Sequence, residues 1–165
     1  MAGKVIKTLR LSPLATMLSE AELRLLANCG RLKTYSEGET ILEASGLDER
    51  LFLLREGRLA FHLSMWTDSG QCGGEATIEL AEPSEPFGWA AWIRLDRLSV
   101  SVLALETVSV VELDLRKLGD TQTFMKVSQR MLQLLYALLQ ECGICPPNVS
   151  ALLKMKHLLQ VEENL

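Results

Sequence analysis

Histidine is scarce. His62 and His157 are the only two in 165 residues, and neither falls in an H-x-H or H-E-x-x-H pattern, so the usual sequence signature of a catalytic metal centre is missing. No apolar run approaches the roughly 20 residues that cross a bilayer. The opening residues, MAGKVIKTLRLS, carry charge but no long apolar core, so no secretory signal is read there. Positive charge is not in excess. Lys and Arg number 17 against 21 Asp and Glu, and a net charge of −4 argues against a nucleic-acid-binding body. Internal repeats and low-complexity tracts are absent. Cysteines number four, in a chain that is large, apolar and signal-free, so reduced thiols in the cytoplasm are expected rather than a disulfide framework. Cys142-Gly-Ile-Cys145 is half a zinc site at most. It lies at a helix C-terminal end, where the dipole opposes a thiolate, so a structural role is expected.

What is present is a folded chain. Apolar residues make up 48% of it, which excludes disorder, and the length suits one domain. Ser19 and Glu22 form a capping box, with Leu18 and Leu23 at staple spacing, ahead of a helix whose face is Leu23, Leu26 and Cys29. Gly30 is placed to end that helix as its C′ residue. From Arg31 the apolar period changes to two. Short strands are predicted at 32–35, 40–43, 50–55, 59–65, around Ala76, Ile78 and Leu80, at 98–105 and at 107–115. Gly57 is predicted to supply a positive φ between two of them. Many short strands at this spacing predict an antiparallel β-barrel or jelly roll, mainly β with flanking helices. A helical turn at 115–118 precedes a long helix, 121–142, capped by Asp120 or Thr121. Its apolar residues form two stripes. Phe124, Val127, Met131, Leu134 and Leu138 make one, and Met125, Ser128, Leu132, Leu135, Leu139 and Cys142 the other. A final short helix is predicted over 149–161.

The stretch EPFGWAAWIRLDRLSVSVLALE, residues 85–106, departs from plain strand patterning. Phe87 and Gly88 are followed by Trp89, the small residues Ala90 and Ala91, and then Arg94 and Arg97 ahead of the next strand. A short helix with its amides toward a pocket, beside a loop arginine, is an anion-binding arrangement. Phe87, Gly88, Trp89, Ala90, Ala91, Arg97 and Ser99 are therefore the candidate ligand residues.

The order of these elements resembles the cyclic nucleotide-binding domain family, in its catabolite activator protein-like sensor form. The likeness is carried by LSEAELRLLANCGRLKTYSEGETILEASGLDERLFLLREGRLAF, then PFGW, then SVSVLALETVSVVELD, over residues 12–142. It implies a β-roll with an N-terminal helix, a short pocket helix and a long C-terminal helix through which two copies associate. Residues 143–165 form a short extension, too few for the DNA-binding domain that some members carry. The resemblance also implies where ligand residues belong. The family's ribose-binding glutamate falls at Trp89 and its phosphate-binding arginine at Leu98, with Arg97 one residue early.

The expectation is a stand-alone, non-catalytic regulatory module with an altered pocket, without metal or cofactor. It would act through a small anionic or nucleotide-like ligand, or through a protein partner, and not through nucleic acid or membrane. A second reading keeps cyclic AMP or cyclic GMP binding with Arg97 on the phosphate. A third, a cupin-type barrel enzyme, is disfavoured by the two isolated histidines. A homodimer is expected on the stripe of Phe124, Val127, Met131, Leu134 and Leu138.

Overall fold

The computed structural model describes residues 2–43, 50–66, 72–80, 82–88 and 98–141. The predicted pocket helix, the residues Trp89, Ala90, Ala91, Arg94 and Arg97, the C-x-x-C and the final helix all lie outside these residues.

The chain starts with a helix that its sequence did not announce. Helix α1, Ala2–Leu11, buries Val5, Thr8 and Leu9. The domain boundary expected at residue 12 thus falls after an element whose Val5 and Leu9 belong to the core. A 3₁₀ turn, Pro13–Met17, leads to α2, Glu20–Asn28. The capping box is formed. Glu22 N–H donates to Ser19 Oγ at 3.2 Å and Ser19 N–H donates to Glu22 Oε2 at 2.7 Å. Gly30 follows the α2 cap residue Cys29, as expected of a C′ residue. Its φ is not positive, unlike that of Gly38, Gly57, Gly88 and Ser84. A Cβ on Gly30 would lie 2.7 Å from Val5 Cγ1 and 3.0 Å from Leu113 Cδ2, so glycine is needed for the close approach of α1 to the sheet.

Eight strands follow in the described residues: β1 Gly30–Tyr35, β2 Thr40–Leu42, β3 Arg50–Glu56, β4 Leu59–Trp66, β5 Cys72–Leu80, β6 Pro86–Phe87, β7 Leu98–Ala104 and β8 Val108–Asp114. They form two four-stranded antiparallel sheets, ordered β1-β8-β3-β6 and β2-β7-β4-β5. Strand β3 is buried on both faces, because each face meets a different core. Leu51 and Leu53, with Val111 and Leu113 of β8, join the helices' Val5, Leu9, Leu26 and Val127. Phe52 and Leu54, with Val108 and Val110, meet Leu59, Phe61 and Val102 of the other sheet. This second cluster is the interior of the roll.

Helix α3, Thr121–Glu141, follows a 3₁₀ turn at Leu115–Lys117. Asp120 is its cap, accepting Thr123 N–H at 3.1 Å. Two polar contacts tie α3 to the N-terminal helices: Lys126 Nζ to Glu22 Oε1 at 2.8 Å, and Arg130 Nε to the Pro13 carbonyl at 3.3 Å. The stripe chosen for dimerisation faces inward along its first half. Val127 and Met131 are buried in the chain's own core, and Phe124 and Leu134 pack against it. From the other stripe Ser128 and Leu132 are buried too. One 3.6-residue period turns both stripes toward the same helical layer, so Val127 and Met131 are not a free surface. Position 138 belongs to α3, but its side chain lies outside the description.

Candidate functional site

The site begins where β6 ends. Phe87 is opposite Phe52 in the β3–β6 ladder, so their rings share the interior face. The centroids are 5.2 Å apart with planes at 16°, and Phe61 meets Phe87 edge-on at 5.5 Å. Phe87 is buried, so it anchors the core rather than lining an open pocket. Gly88 follows at φ +94°, where an added Cβ would lie 2.6 Å from Phe52 Cδ2 and 3.1 Å from Leu42 Cδ1. Only glycine combines that backbone with that approach. The chain therefore leaves β6 from a point fixed on the aromatic floor.

Of the candidate ligand residues, the structure brings Phe87 and Gly88 together. Ser99 is elsewhere. It pairs across from Ser64 in the β4–β7 ladder, on the face of His62 and Ser101. Val100 and Val102 occupy the interior face instead, because successive strand residues alternate. The expected pocket role of Ser99 is thus not met by its direction.

A cluster that the sequence reading missed lies on the same interior face. Glu112 of β8 stands opposite Phe52 on one side and Arg31 on the other. It is buried among polar partners. Tyr35 Oη donates to Oε1 at 2.7 Å, Arg50 Nη1 to Oε1 at 3.1 Å and Arg31 Nε to Oε2 at 2.7 Å, while Lys33 Nζ stands 3.6 Å away. Burial alone would push the Glu112 carboxyl up. The bonds from Tyr35 and Arg31 and the charges of Arg50 and Arg31 outweigh it and hold the group below the usual carboxylate range. Lys33 Nζ also lies 4.4 Å from the Tyr35 ring centroid, and Arg50 Cζ 5.3 Å from that of Phe52. The available signal was a charged residue inside the apolar run Val110–Leu113. Among the described residues no group of three His, Cys, Asp or Glu is placed to hold a metal, and no helix is long and apolar enough to cross a membrane.

Two sheets closed on an aromatic interior, a positive-φ glycine directly after β6, and helices before β1 and after β8 packed on one face are the fold of cyclic nucleotide-binding domains. No family model matches the sequence, and no curated protein matches it. Among solved structures the chain is similar to the catabolite activator protein of Thermus thermophilus. The identity is 24%, covering 81% of this chain and 61% of that one, with a TM-score of 0.57. It is also similar to the regulatory subunit of a cAMP-independent protein kinase A from Trypanosoma cruzi bound to guanosine, at 18% identity, 88% and 51% coverage and a TM-score of 0.62. A third similar structure is a protein kinase A regulatory domain bound to Sp-2Cl-cAMPS, at 19% identity, 87% and 95% coverage and a TM-score of 0.57. The chain spans 61% of the first of these proteins and 51% of the second.

Proposed function

We propose that this chain is a non-catalytic regulatory module that holds a small nucleotide-like ligand beside Gly88, in a site altered from that of cyclic AMP and cyclic GMP binders. The observation that carries the reading is Gly88 itself. Its left-handed backbone lies directly on Phe52, so the chain leaves β6 against the aromatic interior of the roll. The sequence supports the alteration. Trp89 stands where the family resemblance puts a glutamate, and Leu98 where it puts an arginine. Each charged hydrogen bond lost from a buried site costs about 1.5–3 kcal/mol, so two lower affinity about a hundredfold or more. The Trypanosoma cruzi neighbour is described as cAMP-independent and bound to guanosine, which supports a nucleoside-bearing ligand without a cyclic phosphate. The same reading makes the protein cytoplasmic and a homodimer through α3, with no part for nucleic acid, membrane, metal or cofactor.

Isothermal titration calorimetry with cyclic AMP, cyclic GMP and guanosine tests it. The expected outcome is guanosine binding, with both cyclic nucleotides weaker than micromolar. A micromolar or tighter cyclic nucleotide establishes the second reading, in which Arg97 takes the phosphate.

A further inference from the structure

We draw no further inference here: the strongest candidate, the open groove between the end of α1 with its 3₁₀ turn and the loop before β6, offers only the acidic pair Glu82 and Glu85 beside the exposed Leu11, and nothing in the structure shows what covers it.

Discussion

Phe52 and Phe87 stack across β3 and β6 at 5.2 Å, and the next residue, Gly88, lies against the same Phe52 ring. The core and the backbone that leaves β6 therefore share a wall, and a change to the wall reaches both. Gly88→Ala must either leave φ +94° or displace a fully buried ring from 2.6 Å. Overpacking and left-handed strain together are expected to cost about 1–3 kcal/mol, read as a lower urea midpoint at unchanged m-value. A loss within about 0.5 kcal/mol, the scatter of neutral surface changes, contradicts the shared wall.

Glu112 makes stability depend on acid. Its folded carboxyl lies below the ordinary range, because the bonds and charges of its partners outweigh burial. A depressed carboxyl contributes stability that is complete above the unfolded value of about 4.3 and is lost as pH falls through the folded value. Glu112→Gln is expected to cost about 2 kcal/mol or more at pH 7, short of the full penalty for a buried pair because Arg31 is exposed and Lys33 half-buried. Urea unfolding of both proteins at pH 7 and pH 3 should show the gap between them shrinking at the lower pH. A gap that stays constant removes Glu112 from the acid response.

The pattern of the roll was legible in the sequence because alternation, turn glycines and caps are local signals. Gly57 has φ +100° in the predicted turn, and the Ser19 box is formed. Helix α1 was not legible. Its ten residues include Lys4, Lys7 and Arg10, and the reason for Val5 to be buried lies at Gly30 and Leu113. Strand β6 is two residues long, too short to show any period. Arg50 opens the predicted strand 50–55 and Glu112 lies within the predicted strand 107–115, with no local signal linking them. Their meeting exists only after β8 has inserted between β1 and β3. The α3 stripes were legible as apolar. Which of them faces inward depends on the 3₁₀ turn at Pro13–Met17, which carries no periodic signal.

Glu22 serves two elements. It closes the capping box of α2 and accepts Lys126 of α3, and the Lys126 bond is the larger cause of its lowered carboxyl value. Ser19→Ala is expected to cost about 1 kcal/mol, an ordinary cap loss. Glu22→Ala is expected to cost more, and the double change Glu22→Ala with Lys126→Ala to cost less than the sum of the singles. Additive costs in that cycle, measured by urea unfolding, remove the tie between the helices.

The homodimer in the proposed function now has a narrower surface. With Val127 and Met131 buried, the contact falls on the distal half of α3, where Ala137 is exposed. Light scattering at tens of micromolar, the regime of weak interfaces, is expected to give a dimer for the wild type and folded monomers for Ala137→Glu with Leu138→Glu. A monomeric wild type at that concentration rejects the dimer.

Strand β8 is the middle seam of its sheet, joining β1 on one side and β3 on the other. In sequence it comes last, about eighty residues after β1, with register pairs such as Gly30 to Leu113. Strand β2 likewise waits for β7. While the chain is being made, the first hundred residues therefore have α1, α2, the β4–β5 hairpin and the β3–β6 pair within reach, and neither complete sheet. Closure is a late, long-range event, of the kind that slows folding. Until residue 114 has left the ribosome, β1 has no strand to pair with and the Arg31 and Arg50 guanidiniums have no carboxylate to share. The nascent chain is then an apolar half-roll that needs either speed or a chaperone's cover.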